Sequence, residues 1–168
     1  NINPPSVSNV FCTHNLSRLV SMCHTFRKCD FIFIMVPTPF DCDRNEVDET
    51  AITESLSKLE EIGYENIVII KSTVPPGSCD RYSNHYNLNI VFNPEFLRES
   101  TNPNDDFENQ DTIVIGTNDK RTFQSIRNIY EAVAVPHASY YHTTATAAEM
   151  IKCAQNTMLA SRVALANM

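Results

Sequence analysis

The sequence predicts an open, doubly wound α/β sheet, parallel and covered by helices on both faces, that runs into one long C-terminal helix. Short runs at residues 31–36 (FIFIMV), 66–71 (NIVIIK), Asn89–Phe92 (NIVF) and Thr112–Gly116 (TIVIG) are nearly continuous in apolar content. They do not alternate apolar with polar, which marks strands buried on both faces rather than on one. The segments between them carry the period of amphipathic helices, and residues 143–168 contain neither Gly nor Pro.

Taken in order, residues 1–25, with Pro4-Pro5 and scattered Ser and Asn, show no period and form an arm without assigned structure. Residues 26–142 hold the strands. After the second run-in of loop residues, Ile52, Leu56 and Leu59 recur at i, i+4 and i+7, with Glu54 and Lys58 as an i, i+4 ion pair on the wet face and Gly63 as a C-terminal stop. A second helix follows from Phe123, Ile126, Tyr130 and Val133, with Asn118 as its N-cap and Pro136 beyond its end. The last helix, residues 143–168, would be about 39 Å long and would turn Ala147, Ile151, Ala154, Met158 and Leu165 toward the core.

Composition narrows the function. With 42% apolar and 20% charged residues, the 168-residue chain is long enough for one domain that buries roughly 70% of its unfolded surface. No run reaches the roughly 18 apolar residues of a membrane span, and the start lacks a secretion signal, which implies a soluble, cytoplasmic protein. Thirteen basic against 20 acidic residues, without a Lys/Arg cluster, exclude the footprint of a nucleic-acid binder. Only Gly63, Gly77 and Gly116 are glycines, so neither G-x-G-x-x-G nor G-x-x-x-x-G-K-[ST] can be written, and any nucleotide must be held otherwise. The six cysteines include no C-x-x-C pair and read as reduced thiols; Cys12, His14, Cys23, His24 and Cys29 lack the tight paired spacing of a zinc site, so no metal is expected.

Ligands of open α/β sheets bind beyond the carboxyl ends of the strands. There the sequence places Pro37-Thr38-Pro39, then Ser72-Thr73-Val74-Pro75-Pro76-Gly77, then Asn93-Pro94-Glu95-Phe96-Leu97-Arg98-Glu99. Proline stiffens these loops, so Thr38, Thr73, Glu95 and Glu99 would meet at one rim with little entropy left to lose. Glu95 and Glu99 read either as paired carboxylates with separated pKa values or as surface acids, and Arg98 could neutralise Glu95 or a substrate phosphate. On the last helix Lys152 and Asn156 share a face, either as a cation and an amide projecting together or as a solvated face with Glu149 and Lys152 paired. Cys153, about 100° around the helix, reads as a core thiol. His85, His137 and His142 sit in turn-like or strand-end contexts, and no triad order is present.

The segments Val36-Pro37-Thr38-Pro39, Lys71-Ser72-Thr73-Val74-Pro75-Pro76-Gly77, Asn93-Pro94-Glu95-Phe96-Leu97-Arg98-Glu99-Ser100 and Ala148-Glu149-Met150-Ile151-Lys152-Cys153-Ala154-Gln155-Asn156 together resemble the UDP-glucose/GDP-mannose dehydrogenase family in order and spacing, over about residues 26–168. The form of the Glu95 segment is more similar to the UDP-glucose branch. The resemblance implies a Rossmann-like NAD-binding domain, of which residues 26–142 would be the second half, and a connecting helix from residue 143 around which family members form homo-oligomers. It implies double oxidation of a sugar C6 alcohol, with UDP-glucose as substrate and NAD as cofactor. Thr73, Glu95, Lys152 and Asn156 would be catalytic; Thr38, Thr73 and Glu99 would contact the cofactor; Phe96, Leu97 and Arg98 would lie along the sugar nucleotide with Glu95, Lys152 and Asn156. The family's G-x-G-x-x-G turn and its glycine-rich segment with the nucleophilic cysteine are not in this sequence, and Cys153 does not replace the latter. The chain by itself is therefore expected not to complete the reaction. The alternative is a degenerate dehydrogenase that serves as a non-catalytic binding or assembly module.

Overall fold

A computed structural model describes residue 13 and residues 22–96 and 109–168. Within them the chain runs α1 (Cys23–Phe26), β1 (Phe31–Ile34), β2 (Phe40–Asp41), β3 (Glu46–Val47), α2 (Thr50–Glu61), β4 (Ile67–Ile70), α3 (Ser78–His85), β5 (Asn89–Phe92), β6 (Thr112–Gly116), α4 (Lys120–Glu131), β7 (Ser139–Thr143) and α5 (Ala145–Ala166). Five strands form one sheet in the order β1-β4-β5-β6-β7, and β2 and β3 form a separate small hairpin. None of the helices among the described residues is long and apolar enough to cross a membrane.

The predicted α/β class is the one observed. β1, β4 and β5 are parallel, in a register that aligns Phe31 with Ile67 and Ile67 with Asn89. The sheet departs from the all-parallel expectation at one junction, where β6 runs antiparallel to β5 and the two meet only at Phe92 and Gly116. β6 and β7 are again parallel to each other. Strands covered on both faces have the same apolar composition whichever way they run, so the sequence pattern carries no sign of this reversal.

Alternate side chains of each strand feed two cores. Ile34, Val68, Ile70 and Phe92 pack with Ile52, Leu56 and Leu59 of α2 and with Cys79 and Tyr82 of α3. On the opposite face Ile69, Val91, Ile113 and Ile115 pack with Ile126 and Tyr130 of α4. Helices thus cover both faces, as the nearly continuous apolar runs require.

The helix ends follow local chemistry. α2 closes in a Schellman motif: the Gly63 N–H donates to the Glu60 carbonyl at 2.8 Å and the Tyr64 N–H to the Leu59 carbonyl at 3.0 Å, with Gly63 at φ +65° as predicted for the stop. The N-cap of α4 is Asp119 and not Asn118; its carboxylate accepts from the Arg121 and Thr122 N–H groups. A carboxylate suits a helix N-terminus better than a neutral amide does. On α2 the exposed Lys58 pairs with Glu61 at 2.6 Å in place of Glu54, a substitution of one weak surface pair for another.

Two elements lie where the sequence shows no period. α3 (SCDRYSNH) is polar, and β7 (SYYHT) is an exposed edge strand, so neither presents an apolar stripe. His142 accordingly belongs to a strand. The stripe expected to bury α5 is also corrected: the helix buries Ala148 and Glu149, whereas Ile151, Met158 and Leu165 are exposed. Only the first turns of α5 pack on the sheet and on α3, and the side chains that do so are set by that contact and not by the helix's own apolar content.

The contact between α5 and the sheet is close at Gly116, the last residue of β6. A Cβ there would lie 2.8 Å from the Ala145 Cα and 2.9 Å from the Ala148 Cβ. Gly116→Ala is therefore expected to destabilise the fold by about 1–3 kcal/mol through overpacking, as a lowered urea midpoint with an unchanged slope.

Candidate active site

The carboxyl ends of β1, β4 and β5 lie side by side, and the bonds that join them extend past the strands. The Lys71 N–H donates to the Ile34 carbonyl and the Asn93 N–H to the Ile70 carbonyl, each adding a rung to the parallel ladder. Ser72 then takes over with its side chain: its hydroxyl accepts from the Val36 N–H at 2.8 Å and donates to the Val36 carbonyl at 2.7 Å. Thr38 donates its hydroxyl to the Thr73 carbonyl at 2.7 Å. The first two loops are thus sewn together by the hydroxyl residues that the sequence places there.

α5 ties these loops to the third. Glu149 has no exposed surface, and its two carboxylate oxygens accept from the Gly77 N–H at 2.5 Å and the Cys79 N–H at 2.8 Å. Gly77 is the N-cap of α3, at φ +89°, so the carboxylate fills the anion-binding end of that helix. The Glu149–Lys152 pair considered from spacing does not form, because Glu149 is committed to this task. Lys152, one turn on, donates from Nζ to the Glu95 carbonyl at 2.7 Å and stands 5.7 Å from the centre of the Phe96 ring. Burial lowers the pKa of the Lys152 ammonium, opposed by the negative charge of Glu95. Cys153, expected in the core, is only half-buried, with its Sγ 3.6 Å from the Val74 carbonyl and its pKa raised by burial and by Glu149. Residues 149, 152 and 153 of one helix therefore touch both the Thr73 loop and the Glu95 loop.

Beneath the rim lies a polar cluster that sequence reasoning did not single out. Lys71 is 8% exposed, and its Nζ lies 3.1 Å from the Tyr130 hydroxyl and 3.3 Å from the Asn93 Oδ1. Tyr130 donates to the same Asn93 Oδ1, and the Asn93 Nδ2 donates to the Val114 carbonyl at 2.8 Å. Burial pushes the Lys71 pKa down to about 8, with Glu95 opposing and Lys152 reinforcing the shift. The signal available beforehand was a lysine ending an otherwise apolar strand.

Of the expected site residues, the structure joins Thr38 to Thr73 and Lys152 to Glu95, and sets Phe96 against Lys152. Asn156 is exposed one turn beyond Lys152. Leu97, Arg98 and Glu99 lie outside the described residues, as do Cys12 and His14. Among the described residues no three Cys, His, Asp or Glu side chains gather as metal ligands.

The sequence that builds this rim matches a known family model. Residues 5–134 match the NAD-binding domain of the UDP-glucose/GDP-mannose dehydrogenase family. The chain belongs to that family. UDP-glucose 6-dehydrogenase of Rickettsia prowazekii is 35% identical over 148 residues, which cover 84% of this chain and 34% of that protein. Among solved structures, a UDP-glucose dehydrogenase from Pyrobaculum islandicum superposes with a TM-score of 0.71 at 30% identity, covering 86% of this chain and 35% of that one. A GDP-mannose dehydrogenase from Pseudomonas aeruginosa, crystallised as a ternary complex, gives 0.71 at 28% identity, covering 86% of this chain and 36% of that one. The chain spans about a third of the length of these relatives. NAD is the cofactor of the family domain that it matches. Nothing in these likenesses favours the alternative of a non-catalytic assembly module.

Glu149→Ala is expected to cost about 3 kcal/mol, because two charge-assisted bonds are lost and two N–H groups are left without their acceptor. Glu149→Gln keeps one acceptor and should cost about half as much by urea denaturation. Lys71 makes stability depend on pH. Its ammonium is disfavoured in the fold, so the penalty is fully present below pH 8 and is relieved as pH rises from about 8 toward the ordinary 10.5. Over that interval the wild type should gain up to roughly 3 kcal/mol relative to Lys71→Met, measured as the difference between their denaturation curves.

Proposed function

We propose that this chain is part of an NAD-dependent nucleotide-sugar dehydrogenase that oxidises the C6 alcohol of UDP-glucose to the carboxylate of UDP-glucuronate. The observation that carries this reading is the half-buried Lys152 ammonium 2.7 Å from the Glu95 carbonyl. An ammonium has three N–H donors, and this contact uses one. The others are left to hold a sugar oxygen as negative charge develops on it, an electrostatic role strengthened by partial exclusion of water. Glu95, beside it, is the group that would accept or return a proton when water enters the second oxidation, and Thr73 and Asn156 would orient that water.

The residues present fit the nicotinamide side of NAD. Hydroxyls of Thr38 and Thr73 and stiff proline loops at the strand ends suit its uncharged sugar and amide groups, while three scattered glycines form no pyrophosphate cradle. Bound NAD+ would supply the hydride acceptor for C6; the balance would be one alcohol, one water and two NAD+ to one carboxylate, two NADH and three protons. Phe96, Leu97, Arg98 and Glu99 complete the proposed contacts, Arg98 to the sugar nucleotide and Glu99 to the cofactor. Residues 26–142 serve as the second half of the cofactor domain, and the exposed Ile151, Met158, Leu159 and Val163 of α5 are the face through which a homo-oligomer would form.

Thermal unfolding with UDP-glucose, GDP-mannose and NAD+ added separately tests the reading. A ligand at about 100 times its Kd stabilises by roughly 2.7 kcal/mol. UDP-glucose should raise the midpoint more than GDP-mannose, and Lys152→Ala should remove most of that shift. Equal shifts with both sugars, or none, would reject the substrate assignment.

A further inference from the structure

We propose that Lys71 is a positioning residue: with Asn93 and Tyr130 it fixes the turn that follows β5, and so holds the Glu95 carbonyl against Lys152. Lys71 is the first residue after β4, directly before Ser72-Thr73, and Asn93 is the first after β5, directly before Pro94-Glu95, so the cluster sits at the root of two rim loops. The Asn93 Oδ1 accepts from both the Lys71 ammonium and the Tyr130 hydroxyl, which leaves the Nδ2 to face the Val114 carbonyl. The Asn93 carbonyl is a further acceptor of the same ammonium, at 3.5 Å. Pro94 follows directly and has its φ fixed, so an orientation imposed on Asn93 passes to Glu95 with little slack.

The cluster also stands where the sheet is weakest. β5 and β6 share one bridging pair, and the Asn93 side chain continues the connection where the ladder stops. A buried cation is an expensive way to stabilise a core, and apolar residues of the same volume generally serve as well or better. What this one supplies is direction: three hydrogen bonds, two from Lys71 and one from Tyr130, converge on one residue of the turn.

The inference rests on the proposed function only in treating Glu95 and Lys152 as parts of the site; the geometry it asserts can be read without substrate or cofactor. Lys152 is titrated by NMR of 13Cε-labelled lysine in the 168-residue chain, its resonance assigned by its loss in Lys152→Gln. The charged groups that act on Lys152 are Glu95 on the β5 turn, Cys153 on its own helix and Lys71 beneath the rim. In the wild type it should titrate below the ordinary lysine value, held in its half-buried seat.

Both Lys71→Met and Tyr130→Phe should move that titration up toward the ordinary value, as the turn loosens and the ammonium reaches water. Tyr130→Phe keeps the Lys71 charge and loses only the hydroxyl, so it separates positioning from simple charge removal. An upward move in Lys71→Met alone would reduce Lys71 to a local charge and overturn the proposal, as would an unmoved Lys152 in either folded variant. If Lys71→Met does not fold, Tyr130→Phe decides by itself. Because no ligand is present, failure of UDP-glucose binding and failure of this inference give different results.

Discussion

A carboxylate with no exposed surface, and with no cation paired to it among the described residues, docks α5 onto the turn and helix that follow Thr73. The oxygens of Glu149 take up two N–H groups at the start of α3, donors that a helix cannot satisfy from within. The charge is thereby stabilised by backbone dipoles, and α5 is docked at a fixed height and rotation against the Pro75-Pro76-Gly77 turn. α3 depends on this arrangement, because eight largely polar residues have little helical stability of their own. Ser78 and Arg81 add a second tie by sharing the carboxylate of Glu49.

From that anchor the site follows by helical spacing. Lys152 lies three residues beyond Glu149 and so projects from nearly the same side of α5, toward the neighbouring loop. Side chain to backbone bonds join the first two rim loops to each other, Ser72 to Val36 and Thr38 to Thr73, and α5 to the third, Lys152 to Glu95. Two lysines face this region and both have lowered pKa values, Lys71 from deep burial and Lys152 from partial burial. Glu95 favours the charged form of each, so one carboxylate balances two ammonium groups that would otherwise repel.

Much of this was legible in the sequence, and the remainder was hidden for physical reasons. β5 and β6 have the predicted bounds, and β1 and β4 lie inside the predicted runs, because buried parallel-type strands leave a dense apolar mark. Gly63 declared the end of α2 through its positive φ. α3 and β7 left no such mark, since one is polar and the other an exposed edge. The face of α5 was misread because a stripe of apolar side chains is a statement about composition, whereas burial there is decided by how close Gly116 lets the helix approach. The pairing of Thr38 with Thr73 follows from adjacent parallel strands, and the strand-end rule brought both to the rim. Lys71 and Tyr130 are 59 residues apart, and only the packing of α4 on the sheet brings them together.

The single rung between β5 and β6 makes the sheet, mechanically, two sheets sharing a seam. On one side β1, β4 and β5 are laced by full parallel ladders, and on the other β6 and β7 are laced by another. Cooperative units in a protein divide where backbone bonding is sparse. On this ground the seam is the line along which opening is expected first, and it passes beside Asn93, so the resistance of the fold to partial opening and the shape of its rim would depend on the same few atoms.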